Sequence, residues 1–330
     1  MGLSRAQLLR MFWIGCAIIS FAPHAAHAQA YPTRQIKLIV PYPPGGPTDS
    51  AGRVMAERMR VSLGQPVIIE NVAGANGSIG IGRLALAAPD GYTFGLGPWN
   101  THVSNAALYT LPYDVRDDFE PVASFVTYTF IVAAKKALPV NNLKEFIAWL
   151  KANPNKASLG SAGVGSVGHV SSALFQKMSG TTFQHVPYRG SAPAMQDLVA
   201  GQVDMMIDAP VVVLPQVRAG NVKGLAVAAK YRLAIALDIP TVDEAGLPGF
   251  YLSNWFGFWV PRGTPKPVIS VLNAAVVDTL GDQPTVKRLA DLGFEIFSRE
   301  QQTPEALAAL QKAEIEKWLP IIKAANIKGE

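Results

Sequence analysis

Short apolar runs alternate with glycine- and proline-rich turns along most of the chain, and the pattern is clearest over residues 36–59. The run IKLIV at residues 36–40 is typical of a buried strand, and PYPPGG at residues 41–46 ends it in a tight turn. Pro47 suits the first turn of a helix, and apolar residues recur at helical spacing over 51–59. We therefore predict a strand, a glycine turn and a helix, with Thr48, Asp49 and Ser50 as capping candidates.

This turn has the features of an anion site. Glycine lets the backbone come close to a ligand, and the N–H groups at a helix start point outward at the positive end of the helix dipole. A carboxylate or phosphate beside residues 44–49 would be held by these groups. The same pattern also describes an ordinary strand-to-helix connection of a parallel sheet, and the stretch alone leaves both interpretations open.

The rest of the chain continues as alternating strands and helices with short loops, which is typical of parallel sheets flanked by helices. Further strands are predicted at residues 66–71, 92–97, 157–159, 183–186, 203–207, 224–229, 255–261 and 294–297. Further helices are predicted at residues 78–88, 102–108, 143–151, 167–178, 192–200, 212–219, 267–280, 284–291 and 303–323. The aromatic strand at 255–261 is expected to lie in the core.

This order predicts an α/β fold with two lobes. The apolar, β-branched stretch at 119–134 separates two sets of strand–helix units, so crossovers are expected near residues 120–130 and 250. We expect residues 29–128 and 252–330 to form the first lobe and residues 129–251 the second. Ligands of such sheets bind where the carboxyl ends of strands face a crevice. The ligand site is therefore expected between the lobes.

The first 28 residues have the pattern of a secretory signal peptide. Arg5 and Arg10 precede an apolar run over residues 11–22, and Ala26-His27-Ala28 matches a small-residue cleavage site. Cys16 offers a lipoprotein signal as an alternative, but its position inside the apolar run favours cleavage after Ala28. No later apolar run approaches the roughly 18 residues that indicate a membrane helix. We therefore expect an exported, periplasmic protein.

Composition narrows the function classes further. The chain has 330 residues, 49% hydrophobic and 16% charged, which is enough for a large core and two domains. Cys16 is the only cysteine, so cleavage after Ala28 would exclude disulfides, thiol catalysis and cysteine–zinc sites. Loss of Arg5 and Arg10 lowers the formal net charge from +5 to +3. This weak charge, without a Lys/Arg run, argues against nucleic acid as a partner.

Three loops that each follow a predicted strand are rich in residues that bring N–H and hydroxyl donors to a ligand. The candidate ligand-binding residues in and beside them are Pro44, Gly45, Gly46, Asp49, Trp99, Asn100, Thr101, Ser161, Gly163, Ser166, His169, Tyr188, Arg189 and Asp208. Helix starts from both lobes could thus face one anion from opposite sides.

Five of these residues have more than one interpretation. Asp49 is a helix cap or a general base, and His169 is a structural group, a ligand contact or a base. Arg189 is placed to meet a carboxylate but could equally be solvated. Trp99 could stack on a ligand or fill a contact between the lobes. Asp208 could accept a hydrogen bond from a ligand hydroxyl or ammonium, or satisfy nearby backbone.

Motifs for cofactors and catalysis are incomplete. GVGSVG at residues 163–168 matches G-x-G-x-x-G, but the next strand lacks the terminal acid of a dinucleotide site. Neither Ser78 nor Ser166 lies in a G-x-S-x-G motif. No pair among His102, His169 and His185 has the H-x-x-x-H spacing of a metal-binding helix. We therefore expect no cofactor, no metal ion and no catalytic residue.

Several ordered motifs together resemble one family across essentially the whole chain after residue 28. These are VPYPPGG at residues 40–46, NVAGANG at 71–77, PDGYT at 89–93, LPYD at 111–114, VPYRG at 186–190 and GQVD at 201–204. The sequence is similar to the periplasmic solute receptors of tripartite tricarboxylate transporters. One departure is Asn76, where the family usually has glycine.

This resemblance implies a type II periplasmic-binding-protein fold that closes on a small carboxylate. It implies that backbone groups, hydroxyls and waters hold the carboxylate, at positions Gly45, Gly46, Asp49, Ser161 and Ser166 of this sequence. It also implies delivery to membrane permease subunits by a protein that we expect to be a monomer. Known ligands of the family include tricarboxylates, dicarboxylates, acidic amino acids, aromatic acids and nicotinate-like compounds, so the resemblance does not identify the solute.

Two other functions stay open at this point. A sensor subunit would bind the same ligand and pass the signal to a partner such as a sensor kinase. A periplasmic hydrolase would need a nucleophile and a base, for which Ser166 and His169 are the candidates. The missing nucleophile motif argues against the hydrolase.

Overall fold

The computed structural model describes residues 31–324, so the signal peptide predicted for residues 1–28 lies outside the described residues. The strands are β1 (Ile36–Val40), β2 (Val67–Asn71), β3 (Thr93–Pro98), β4 (Phe119–Thr129), β5 (Ile131–Lys135), β6 (Ser158–Ser161), β7 (Gln184–Pro187), β8 (Met205–Asp208), β9 (Val222–Val227), β10 (Ser253–Pro261) and β11 (Glu295–Ile296). The helices are α1 (Pro47–Leu63), α2 (Ser78–Ala85), α3 (Asn105–Leu108), α4 (Leu143–Ala152), α5 (Val167–Ser179), α6 (Ser191–Val199), α7 (Pro210–Arg218), α8 (Lys266–Gly281), α9 (Gln283–Asp291) and α10 (Pro304–Ala324). The predicted elements occur in the predicted order, with ends shifted by a few residues. β4 and β5 are additional strands that begin within the apolar stretch at 119–134, for which no strand bounds were predicted.

The strands form two sheets. The first has the order β11-β4-β10-β3-β1-β2, and the second has the order β7-β6-β8-β5-β9. We call the first sheet with α1–α3 and α8–α10 the first lobe, and the second sheet with α4–α7 the second lobe. Both the α/β class and the division into two lobes are therefore confirmed.

The prediction of parallel sheets is only partly right. β1 pairs in parallel with β2 and β3, and β6 pairs in parallel with β7 and β8. However, β10 runs antiparallel to β3 and β4, and β5 runs antiparallel to β8 and β9. The antiparallel strands adjoin the places where the chain passes from one sheet to the other, which local sequence patterns do not encode.

The crossovers lie side by side. β4 of the first sheet leads into β5 of the second through Phe130, and the chain returns through residues 228–252. The Oγ1 of Thr129 donates to the carbonyls of Ala228 (3.0 Å) and Leu252 (2.9 Å), and the N–H of Ala228 donates to the carbonyl of Phe130 (2.8 Å). These bonds join the two connecting segments into one joint between the lobes.

The aromatic strand β10 lies in the core, as predicted. Phe256 and Phe258 are fully buried, Trp255 and Trp259 are nearly so, and Phe258 stacks on Phe125 with ring centroids 4.4 Å apart. Each buried aromatic ring removes a large apolar surface from water. Within residues 31–324, no helix has both the length and the apolar character that a membrane span requires.

Candidate functional site

A cleft between the two lobes lies where the segments after β1 and β8 face the starts of three helices. About 510 Å³ of space lies between its walls, and this volume includes open solvent, so the cleft is not an enclosed cavity. Its lining residues are Tyr42, Pro43, Gly46, Pro47, Thr48, Pro98, Asn100, Tyr128, Phe130, Ala162, Ser166, Val167, Gly168, Ser191, Ala192, Asp208 and Asn254. Both lobes contribute to this lining, so a cleft is present between the lobes, where the ligand site is predicted.

Helices α1, α5 and α6 all begin at this cleft. Gly46 and Gly190 precede α1 and α6, and no side chain caps either helix. Ser166 caps α5, because its Oγ accepts from the backbone N–H of His169 at 3.3 Å. The first N–H groups of a helix have no acceptor within it, and its N-terminus carries partial positive charge. Three such ends at one cleft favour an anion.

Asp49 anchors the loop of residues 41–46 between β1 and α1, here called the first glycine loop. Its Oδ2 accepts from the N–H of Gly45 (3.0 Å) and from Arg53 Nε (2.8 Å), and its Oδ1 accepts from Asn71 Nδ2 (2.9 Å). Burial alone would raise the pKa of Asp49, but these hydrogen bonds outweigh it and hold the pKa below its usual value. The capping prediction for Thr48, Asp49 and Ser50 is wrong, because the N-cap is Gly46.

The loop of residues 161–166 between β6 and α5, here called the second glycine loop, is held by a serine and two histidines. The Oγ of Ser161 lies 2.7 Å from Nε2 of His185 and accepts from the N–H of Gly163 (3.2 Å). His169 stacks on His185 at 3.9 Å and accepts through Nδ1 from the N–H of Gly165 (3.0 Å). Burial, and then the adjacent His169, lower the pKa of His185 to about 4, so its ring is neutral at pH 7. Ser161 and both rings therefore shape the loop and do not line the cleft.

A buried network around Tyr42 joins three loops of the first lobe. The Oη of Tyr42 donates to Oδ1 of Asn76 (2.7 Å) and accepts from Nδ2 of Asn100 (2.6 Å). Nδ2 of Asn76 donates to Asn105 (2.9 Å), and Asn76 adopts a left-handed backbone conformation (φ +49°). Asn76 therefore links Tyr42 to Asn105 by hydrogen bonds, in addition to tolerating the left-handed conformation. Sequence reasoning missed Tyr42, although it lies before the glycine turn and within the VPYPPGG motif.

Asp208 and Ser191 bring a carboxyl and a hydroxyl to the second-lobe side of the cleft. Oδ2 of Asp208 accepts from Ser191 Oγ, and Oδ1 accepts from the N–H of Ala209, both at 2.7 Å. Burial raises the pKa of Asp208 to about 6. Sequence reasoning missed Ser191, although it follows the VPYRG motif directly at a helix start.

The remaining candidates lie around the cleft. Asn100 lines it, whereas Thr101 is fully buried. Trp99 lies in a separate cavity against α10, where its Nε1 donates to Glu314 (2.7 Å) and its ring packs edge-to-face on Trp318. Pro44 is exposed, and Gly45 lines a shallow pocket beside α6 and α7.

An outer pocket adjoins the cleft and shares Tyr42 and Ala162 with it. Gly163, Tyr188 and Arg189 line this outer pocket. The hydroxyl of Tyr188 donates to Asp197 (2.6 Å), and Arg189 is exposed. These residues therefore lie at the approach to the cleft.

The second glycine loop also contacts the first lobe. Tyr109 Oη donates to the carbonyl of Val164 (2.8 Å), and Ser104 Oγ donates to the carbonyl of Gly165 (3.3 Å). Both donors belong to the first lobe, and both acceptors belong to the second. These contacts hold the lobes together at the edge of the cleft.

Charge in the cleft comes from helix ends rather than from cationic side chains. Among the described residues that line it there is no Lys, Arg or His, and Asp208 is the sole acid. His102 is a core residue, stacked on Trp259 at 4.4 Å, and burial lowers its pKa to about 3. Over residues 31–324, His, Cys, Asp and Glu side chains form no group of three or more that could hold a metal ion.

Known proteins resemble this chain in both sequence and fold. Residues 51–327 match the model of the tripartite tricarboxylate transporter family receptor. The structure of the periplasmic binding protein BugD is 37% identical, with a TM-score of 0.86 over 91% of this chain and 100% of that one. MatC from Rhodopseudomonas palustris with bound malate is 39% identical, with a TM-score of 0.83 over 88% of this chain and 100% of that one. A second R. palustris protein, solved with adipate, is 35% identical, with a TM-score of 0.86 over 90% of this chain and 99% of that one. This chain therefore belongs to the family of tripartite tricarboxylate transporter receptors.

Proposed function

We propose that this protein captures a small organic carboxylate in the periplasm and delivers it to the permease subunits of a tripartite tricarboxylate transporter. The observation that carries the proposal is the meeting of three helix starts, at Gly46, Ser166 and Gly190, in a cleft whose described lining has no cationic side chain. Such a site holds a carboxylate through backbone N–H and hydroxyl donors. The malate and adipate in two related structures are consistent with a ligand of this class.

Domain boundaries and location belong to the same proposal. We assign residues 29–128 with 252–330 to the first lobe and residues 129–251 to the second, with closure about the joint at Thr129. Residues 1–28 would direct export and be removed, leaving a periplasmic monomer. A role as a sensor subunit would use the same cleft and differ only in the partner.

The local geometry gives no specific support to the hydrolase alternative. Ser166 Oγ accepts from the backbone of His169, which is a capping bond, and Nδ1 of that histidine accepts from Gly165. A nucleophile would instead need its hydroxyl bonded to a base. The family relatives described above are binding proteins, in agreement with a binding role.

The first experiment identifies the ligand, by mass spectrometry of small molecules released when freshly purified protein is denatured. The second compares that acid with its primary amide by titration calorimetry. The amide loses acceptor capacity and places N–H against N–H, so we expect at least roughly a 100-fold loss of affinity, about 2.7 kcal/mol.

The Ser166→Ala variant provides a graded comparison for this titration. It removes one hydroxyl from the cleft but leaves the backbone donors, so its expected loss is only about 1 kcal/mol. Equal affinity for the acid and the amide would contradict the proposal, because the helix starts would then not hold the carboxylate.

A further inference from the structure

The buried carboxyl of Asp208 is an unusual group to find in a cleft built for an anion. Asp208 is only 5% exposed and lies at the end of β8. It lines the cleft beside the start of α6. An ionised carboxylate there and the carboxylate of a ligand would repel each other, and the burial of Asp208 reduces the screening of this repulsion by water. Among the described lining residues no cation is present to separate the two charges.

The groups that face Asp208 from the surrounding elements bring no charge into the cleft, so Asp208 is its one charged lining group among the described residues. Tyr42, after β1, and Tyr128, on β4, are neutral phenols, because burial raises the pKa of both. On α1 the acid Asp49 is paired with Arg53, outside the lining. On β5, the residue paired with Asp208 in the antiparallel register is the apolar Ile131.

The helices beside Asp208 carry their own titratable groups farther from the cleft. The histidine of α5, His169, is stacked on His185. On α6 the first acid is Asp197, which binds Tyr188, and on α7 the first charge is Arg218 at the far end, bonded to the carbonyl of Ile235. None of these side chains lines the cleft.

We propose that Asp208 takes up a proton when the ligand carboxylate enters, and that Ser191 transmits this change to the ligand. In the structure, Ser191 Oγ donates to Oδ2 of Asp208 at 2.7 Å. After protonation, Oδ2 becomes the donor and Ser191 Oγ the acceptor, so the Ser191 hydroxyl keeps its hydrogen and turns to donate a hydrogen bond to the ligand carboxylate. The bond from Ala209 N–H to Oδ1 is kept throughout. The proton comes from solvent, and no covalent bond other than O–H is formed or broken.

This inference rests on the proposed function, since it needs a carboxylate in the cleft. It makes the site a receptor for an organic anion together with a proton. Burial raises the pKa of Asp208 to about 6, so the group is mostly ionised at pH 7. A bound anion raises this pKa further, so the complex holds more protons than the free protein. Affinity is therefore greatest below about pH 6 and falls as the pH rises above that value.

The test begins with a thermal-shift panel of malate, adipate, citrate, glutamate, benzoate and nicotinate at about pH 5.5 and about pH 8. Acids that stabilise the protein are then titrated by calorimetry at both pH values. At about pH 7 the titration is repeated in two buffers of different ionisation enthalpy, which gives the number of protons taken up. For the wild type we expect at least roughly tenfold tighter binding at the lower pH and net proton uptake at pH 7.

The Asp208→Asn variant imitates the protonated state. Its amide can donate to Ser191 while its oxygen accepts from Ala209 N–H. We expect a flat pH profile for this variant and tighter binding than the wild type at pH 8. The matched control is Asp204→Asn, which removes another buried acid of the second lobe, one that is paired with Lys135 away from the cleft. This control should keep the pH dependence of the wild type.

The possible results separate the two proposals. Binding of a panel acid with no pH dependence and no proton uptake would overturn the role of Asp208 and leave the proposed function standing. If affinity still fell with rising pH in Asp208→Asn, another group would take up the proton, and this result would also overturn the inference. No stabilisation by any acid at either pH would overturn both proposals.

Discussion

Gly165, in the second glycine loop, offers a direct test of lobe closure. Its backbone has φ +79°, and a Cβ atom there would lie 2.3 Å from Cδ1 of Leu108 in the first lobe. The Gly165→Ala substitution therefore has two separate effects. The left-handed conformation disfavours alanine by about 1–2 kcal/mol whether the lobes are open or closed. The clash with Leu108 adds about 1–3 kcal/mol, typical of overpacking, but only while the lobes are in contact.

Opening the lobes relieves the second effect and not the first. We therefore expect Gly165→Ala to weaken binding of any acid that stabilises the wild type by roughly 5- to 150-fold, which corresponds to about 1–3 kcal/mol of lost closure energy. Leu108 is 7% exposed and packed in a cluster of buried residues, so it cannot simply rotate away. The radius of gyration from solution scattering at saturating acid should also be larger than for the wild type.

Gly180 provides the matched control. Its φ is +64°, yet a Cβ there has no neighbour closer than Lys151 Cε at 4.0 Å. Gly180→Ala should lower the free energy of unfolding in urea by about 1–2 kcal/mol while leaving affinity and scattering unaffected. If Gly165→Ala bound as tightly as Gly180→Ala, the contact between the second glycine loop and Leu108 would have no part in closure, and the reasoning would fail.

Three further predictions concern the loops and the N-terminus. Asp49→Asn should lower the free energy of unfolding at pH 7 by about 1.5–3 kcal/mol, because three hydrogen bonds lose a charged acceptor. The pKa of Asp49 is lowered on folding, so its contribution to the free energy of unfolding is present above about pH 4 and is lost as the pH falls further. The free energies of unfolding in urea of the wild type and the variant should therefore converge on acidification. Tyr109→Phe removes the 2.8 Å bond to Val164 and should weaken ligand binding roughly fivefold in calorimetry, whereas an unchanged affinity would show that this contact is not used in closure. Intact-mass analysis of the exported protein should give a chain that begins at Gln29, and an acylated Cys16 at the N-terminus would contradict this.

Local sequence was enough to predict the first glycine loop and most elements. An apolar run, a proline-rich stop, two glycines and a helical apolar period each act within a few residues, so β1, the turn and α1 could be predicted without knowledge of the rest of the chain. The order of motifs along the chain also identified the family correctly. The same reasoning predicts a ligand site between two lobes, because strand ends and helix starts meet at such a crevice, and the structure has a cleft there.

The tertiary structure decided what each polar side chain does. Asp49 binds Asn71, 22 residues away, and Trp99 binds Glu314, 215 residues away, so neither role could be read from neighbours in the sequence. The same is true of the bond between Asp208 and Ser191, which joins the end of a strand to the start of a helix. Local pattern determines which backbone conformations are favourable, whereas burial and hydrogen-bond partners depend on segments that only folding brings together. For this reason the sequence by itself was enough to predict which loops could receive an anion, and only the packing of the two lobes decided which donors and which acid line the cleft between them.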